Sequence, residues 1–136
     1  MVLLNQEIIG YINVFEKTTR AGVKDCFLED DSLIFVIQQG QIMKALGPNG
    51  INLRKLGSLF KKDIKVIGFH SDPTKFISNL IYPVRSKEIV LEDNMIVIRT
   101  NNVKEKGQVF GRDKSNLRRM QKLVSKYFPD LSVKVE

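Results

Sequence analysis

Gly47-Pro48-Asn49-Gly50-Ile51-Asn52-Leu53-Arg54-Lys55-Leu56 is echoed by Gly111-Arg112-Asp113-Lys114-Ser115-Asn116-Leu117-Arg118-Arg119-Met120. Two further blocks recur in the same order. Lys24-Asp25-Cys26-Phe27-Leu28-Glu29-Asp30 returns as Lys87-Glu88-Ile89-Val90-Leu91-Glu92-Asp93, and Leu33-Ile34-Phe35-Val36-Ile37 returns as Met95-Ile96-Val97-Ile98. The offset stays near 63 residues, so the chain reads as one small domain written twice. Solenoid units are shorter and need at least three copies. The copies are expected to span residues 1–70 and 71–136, and function is to be sought in what they share.

Outward from the glycine motif, each copy shows the same alternation of periods. In the first, Leu4, Ile8, Tyr11, Ile12 and Phe15 fall on one helical face. Ala21-Gly22 predicts the helix end. The apolar runs Cys26–Leu28 and Leu33–Ile37, split by Glu29-Asp30-Asp31-Ser32, predict a hairpin. A short helix over about Gln41 to Leu46 leads into the motif. The helix after it is expected to bury Leu53, Leu56 and Phe60 and to expose Arg54, Lys55 and Lys61, with a strand at Ile64–Phe69. In the second copy Asp72 reads as an N-cap and Pro73 as the first helical residue, with a helix to about Tyr82. Strands follow at Lys87–Glu92 and Met95–Thr100, helices at Val103–Phe110 and Ser115–Phe128, and a last strand from the alternation of Leu131, Val133 and Val135. The long helix is expected to bury Leu117, Met120, Val124 and Tyr127.

Each copy is thus an α-β-β-α-α-β unit. Two helices between the second and third strands form a crossover, which predicts that those strands are parallel. The expected class is α+β, a three-stranded mixed sheet covered by three helices, twice over. No Ser/Gly-rich linker intervenes, and the short junction at His70-Ser71-Asp72 predicts rigid docking.

Composition narrows the function. The chain has 136 residues and a formal net charge of +7. Residues 1–70 hold 9 basic against 7 acidic side chains, and residues 71–136 hold 13 against 8. Much of the excess lies between Lys104 and Lys126, around the second motif. A basic balance points to an anionic partner, most often nucleic acid. Cys26 is the only cysteine and sits in an apolar strand pattern, so it reads as a small buried hydrophobe. With the single His70 it cannot form a zinc site, and His70 reads as a junction residue. Glu29-Asp30-Asp31 reads as a hairpin loop, since calcium sites need far more oxygen ligands. No nucleophile lies beside a base and no carboxylates pair in a cleft, so no enzyme, metal, cofactor or small-molecule substrate is expected. No run approaches a membrane span. The N-terminal stretch lacks a basic region and is interrupted by Asn5, Gln6 and Glu7, so a signal peptide is not expected and a cytoplasmic location is. Phe35, Phe60 and Phe69 read as core. Phe110, directly before the second motif, reads either as core or as the lining of a groove.

A glycine-bounded turn between two helices suits a phosphate. Glycine permits positive φ and close approach. The following helix aims N–H groups and a positive dipole end at the turn. Gly-x-x-Gly alone is a weak signal. Placed between two helices of an α-β-β-α-α-β unit and repeated, it resembles the GxxG loop of KH domains in their type II, prokaryotic form, and the tandem pair resembles the two KH domains of NusA-type transcription factors, in particular the short archaeal form. The resemblance implies single-stranded RNA binding, with the loop clamping the backbone of about four nucleotides and an adjacent apolar groove taking bases. It also implies a part in transcription termination or antitermination, with RNA polymerase as a further partner.

Carried onto this chain, the implied RNA-binding residues are Gly47, Pro48, Asn49, Gly50, Arg54 and Lys55 in the first copy. In the second they are Gly111, Arg112, Asp113, Lys114, Arg118, Arg119 and Lys122. Two departures stand out. Pro48 and Asn49 carry no charge, and Pro48 has no N–H, so a phosphate there depends on backbone groups beyond the loop and on Arg54 or Lys55. Lys114 replaces the final glycine, which obstructs the closest approach of a backbone and adds charge beside Arg112. Two readings of the second copy follow, retained binding and a docking surface. Two other classes stand beside RNA binding. One is a protein-interaction module that docks on RNA polymerase or the ribosome. The other is a duplex-DNA-binding helix-turn-helix, against which the β elements and the glycine loop argue.

Overall fold

A computed structural model of the protein describes residues 6–136. Leu4 and Asn5 lie outside the described residues. The chain divides into two compact units, Met1–His70 and Ser71–Glu136.

In the first unit α1 spans Gln6–Thr19 and turns Ile8 and Phe15 inward. It ends earlier than Ala21-Gly22 predicts. Arg20 adopts φ 65°, and its N–H donates to the Glu16 carbonyl at 2.8 Å, so an arginine closes the helix. A left-handed residue is all the closure requires, and non-glycine residues reach that region at a cost of roughly 1–2 kcal/mol. Gly22 lies beyond the helix, where its N–H donates to Gln41 Oε1 at 2.6 Å.

Strands β1 (Val23–Glu29) and β2 (Ser32–Ile37) pair antiparallel. Glu29 sits opposite Ser32, which leaves Asp30-Asp31 as a two-residue turn with Asp30 at φ 53°. The hairpin is therefore tighter than the four-residue break in the apolar pattern suggests. After α2 (Ile42–Leu46) and α3 (Ile51–Phe60), β3 (Asp63–Gly68) pairs parallel to β2, from Ser32 opposite Asp63 to Ile37 opposite Gly68. The core gathers Ile8, Phe15, Cys26, Leu33, Phe35, Ile37, Ala45 and Leu56. The Phe15 and Phe35 rings stack with centroids 4.2 Å apart. Leu53 and Phe60 are only partly buried against this core, so Leu56 is the one residue of α3 that is fully inside. Cys26 is fully buried. Burial, with the Asp25 carboxylate adding to it, pushes its thiol up to about 12. Phe69 follows β3, and Lys24 Nζ sits 4.4 Å from the centre of its ring.

The second unit repeats the order with α4 (Pro73–Ile81), β4 (Glu88–Glu92), β5 (Met95–Arg99), α5 (Val103–Phe110), α6 (Ser115–Tyr127) and β6 (Ser132–Val135). Asp72 caps α4 by accepting from the Thr74 N–H at 3.0 Å, and Pro73 opens the helix. β4 and β5 form the hairpin, and β5 and β6 run parallel. The core holds Ile77, Ile96, Ile98, Val109, Met120 and Val124. Leu123, which the α6 periodicity leaves unassigned, is 1% exposed, whereas Leu117 and Tyr127 are partly buried. Arg99 on β5 gathers Glu88, Glu92 and Glu136 at 2.9, 2.6 and 3.3 Å.

Candidate functional site

The two glycine loops take the same backbone path. Gly47 has φ 71°, ψ 174° and Gly111 has φ 75°, ψ 172°. At the third position Asn49 (φ 53°, ψ 28°) and Asp113 (φ 54°, ψ 29°) are both left-handed. At the fourth, Gly50 (φ 69°, ψ 21°) and Lys114 (φ 61°, ψ 25°) are left-handed as well. The Gly50 N–H donates to the Gly47 carbonyl at 3.2 Å, and the Lys114 N–H to the Gly111 carbonyl at 3.1 Å. Each loop is a single 3₁₀ turn, Pro48–Gly50 or Arg112–Lys114, that feeds directly into α3 or α6.

The first and fourth positions differ in what they demand. The first lies in a region that is essentially glycine-only. An added Cβ at Gly47 would also fall 2.7 Å from Asn52 Nδ2, and one at Gly111 would fall 2.5 Å from Asn116 Cγ. At Gly50 an added Cβ would meet nothing nearer than Arg54 Nη1 at 4.0 Å. A side chain fits the fourth position, so Lys114 leaves the turn undistorted.

Two residues per unit hold the loop in place. Asn52 Nδ2 donates back to the Lys44 carbonyl at 3.3 Å, and Asn116 Nδ2 to the Gln108 carbonyl at 3.4 Å. These bonds tie the helix after each loop to the helix before it. Arg54 Nη1 donates to the Asn49 carbonyl at 2.6 Å, and Arg118 Nη1 donates to the Asp113 carbonyl in the same way. The asparagines stand at the same offset in both repeats, which is a signal in the sequence, though residue type alone assigns them no task.

The cations around the loops differ in exposure and in partners. Arg112, Lys114, Arg118 and Lys122 are exposed, and Arg119 is half-buried. Arg54 and Lys55 are exposed on α3, and Arg54 also lines a groove of about 690 Å³ between α3 and the start of β3. Leu53, Gly57, Ser58, Lys61, Lys62 and Ile64 line it too, together with the carboxylates of Asp31 and Asp63. A Cβ at Gly57 would come 3.3 Å from the Lys62 carbonyl, a tight contact. Of these, Gly57, Ser58 and Lys62 carry no recognisable signal in the sequence. Phe110 is half-buried before the second loop, with Lys114 Nζ 5.8 Å and Lys106 Nζ 5.9 Å from its ring centre. His70 ends the first unit, with its Nε2 3.5 Å from Gln39 Nε2. Among the described residues, no three His, Cys, Asp or Glu side chains converge as metal ligands, and no helix is long and apolar enough to cross a membrane.

The model of the KH domain family matches residues 9–70, the stretch from α1 through the first loop to the end of the first unit. The "Probable transcription termination protein NusA" of Methanocaldococcus jannaschii is 28% identical over 137 residues, covering 98% of this chain and 75% of that protein. The protein of the same name from Halococcus morrhuae is 22% identical over 129 residues, covering 93% of each chain. The one from Methanococcus vannielii is 34% identical over 88 residues, which is 65% of this chain and 51% of that protein. The fold also matches the crystal structure of APE1850, at 24% identity and a TM-score of 0.75 over 98% of this chain and 100% of that one. With the KH-domain family matched over residues 9–70, which hold the first loop, and relatives named NusA that span nearly the whole chain, this chain is NusA-like and similar to KH-domain proteins.

Proposed function

We propose that this chain is a non-enzymatic RNA-binding factor that acts in transcription termination or antitermination, that both units are KH domains (residues 1–70 and 71–136), and that each glycine loop clamps the backbone of single-stranded RNA. The observation that carries this reading is the pair of superposable loop conformations, each feeding a helix of at least 10 residues. The first turn of such a helix has N–H groups without intrahelical partners and the positive end of the dipole. A phosphate at the loop meets both.

The two cradles bind with different chemistry. Gly47, Pro48, Asn49 and Gly50 offer shape, and a phosphate there leans on backbone groups beyond the loop, with Lys55 the adjacent cation. Gly111, Arg112, Asp113 and Lys114 add two positive side chains, and Arg119 and Lys122 extend the positive field along α6. Further along α3, the groove takes a base against Leu53 and Ile64, with the charges of Lys61 and Lys62 there offset by Asp31 and Asp63. RNA polymerase is the protein partner this function calls for, and the site of action is cytoplasmic.

The test is a comparison of single-stranded RNA, single-stranded DNA and duplex DNA of one sequence. The expected order is RNA tightest and duplex weakest, because a splayed single strand exposes bases and the 2′-hydroxyl. Preference for the duplex, or no binding to any nucleic acid, would overturn the proposal and favour a protein-docking module.

A further inference from the structure

We infer that Arg54 and Arg118 are positioning residues that hold each loop in its clamping shape, and are not phosphate ligands. The inference rests on the loops being RNA cradles, and it reassigns two cations that charge alone would place against the RNA.

Three observations carry it. Each guanidinium is already engaged by the loop it serves. Arg54 donates to the Asn49 carbonyl at 2.6 Å, and Arg118 donates to the Asp113 carbonyl. A charge-assisted bond of this length is among the stronger hydrogen bonds a protein makes. The carbonyl so held belongs in both units to the first of two consecutive left-handed residues, Asn49-Gly50 and Asp113-Lys114. Two such residues in a row are uncommon, Lys114 being the least suited and Asn49 and Asp113 the better tolerated, so a bond to the carbonyl between them steadies the turn. Finally, the arrangement occurs twice, with the same donor atom and the same five-residue reach, although the loops differ at every position except the first glycine. A contact that survives so complete a change of loop side chains serves the backbone that the loops share.

The electrostatics agree. A left-handed pair turns a carbonyl oxygen out beside the loop, where it would repel an approaching phosphate. The guanidinium neutralises it. An arginine drawn off to a phosphate would uncover that oxygen next to the anion, so the two tasks compete.

Arg118→Met and Arg54→Met keep most of the aliphatic stem and remove the donor. Lys122→Met, one turn further along α6, serves as the comparison. Two measurements are made on the full chain: amide hydrogen exchange of the loop without RNA, and affinity for a short fluorescein-labelled single-stranded RNA across a salt series. Loss of a phosphate ligand lowers the slope of log K against log salt by about 0.7 on single strands. Lys122→Met is expected to do that and to leave loop exchange unchanged. The arginine variants are expected to speed exchange at 49–51 or 113–115 and to weaken binding by about threefold to tenfold. Their slope should move by less than about 0.2, since no counterion-releasing contact is lost. An arginine variant that lowers the slope by about 0.7 with loop exchange unchanged would overturn the inference. If the unaltered chain bound no RNA, the cradle reading would fall and this inference with it.

Discussion

Replacing Lys114 with glycine gives the second loop the residue that the first loop has at the same place. The structure sets the size of each effect. Lys114 sits at φ 61°, ψ 25°, so glycine relieves roughly 1 kcal/mol of left-handed strain in the folded chain. It also loosens the unfolded chain by about 0.4–1 kcal/mol. These nearly cancel, and stability should stay within about 0.5 kcal/mol of the parent. Binding should not stay put. If Lys114 touches one phosphate, its loss removes about 0.7 from the salt slope, which at about 0.1 M salt corresponds to roughly fivefold weaker binding. The effect should be uniform across RNA sequences, because phosphate contacts position without specifying. Fluorescence anisotropy over a salt series measures slope and affinity together, and urea denaturation confirms the fold. Tighter binding by Lys114→Gly with a flatter slope would refute the reasoning. The lysine would then be an obstruction, and identical turn geometry would be a poor guide to binding.

Other outcomes follow from the same geometry. Gly111→Ala should cost about 2–4 kcal/mol, from glycine-only backbone strain and from displacing Asn116 off the Gln108 carbonyl, and it should lower the denaturation midpoint of the second unit. Pro48→Asp with Asn49→Asp should weaken RNA binding by repulsion and leave the circular-dichroism melt in place, because the loop bears on no core residue. Unchanged affinity in that folded variant would remove the first loop from the site. Cys26 should resist thiol reagents until denaturant is added, since the thiol is fully buried and its pKa is pushed up to about 12. On acidification the second unit should lose stability in the range below the ordinary carboxylate values of about 4. Bonds from the Thr74 hydroxyl and N–H hold Asp72 low, and Lys134 and then Arg99 hold Glu136 low. Folded values below unfolded ones mean a contribution present at neutral pH that fades as pH falls through the folded value. Asp72→Asn should flatten that acid limb in a pH-denaturation series.

The elements were legible because apolar runs and helical spacings are bounded by clear turn and cap residues in each copy. The unbroken apolar run Leu33–Ile37 marks a strand that is buried on both faces, and Asp72-Pro73 marks a helix start that α4 keeps. Where the reading slipped, a local conformation had replaced the expected residue. Arg20 closes α1 in the left-handed region, so glycine was a poor guide to that boundary. The site was legible as a loop and as a concentration of charge, and less so as a set of roles. Asn52 and Asn116 act on carbonyls eight residues earlier, in a different helix, and no short-range pattern announces such a bond. Arg54 and Arg118 look in sequence like any cation beside a phosphate loop. Their bond to the loop itself depends on the carbonyl of a left-handed residue, which only folding exposes. Lys114 looks like damage to the motif until its dihedral angles are seen to match those of Gly50.

If the loops clamp RNA as proposed, the tolerance of the fourth loop position grades the hold. Shape is fixed by the first glycine and by the braces beneath it, and none of them involves the fourth side chain. Valence can therefore be altered at one codon with the mould unchanged. On the proposed function the two loops would form a graded pair, one with no charged side chain in the turn and one with two cations in it. The second is then expected to let go first as salt rises.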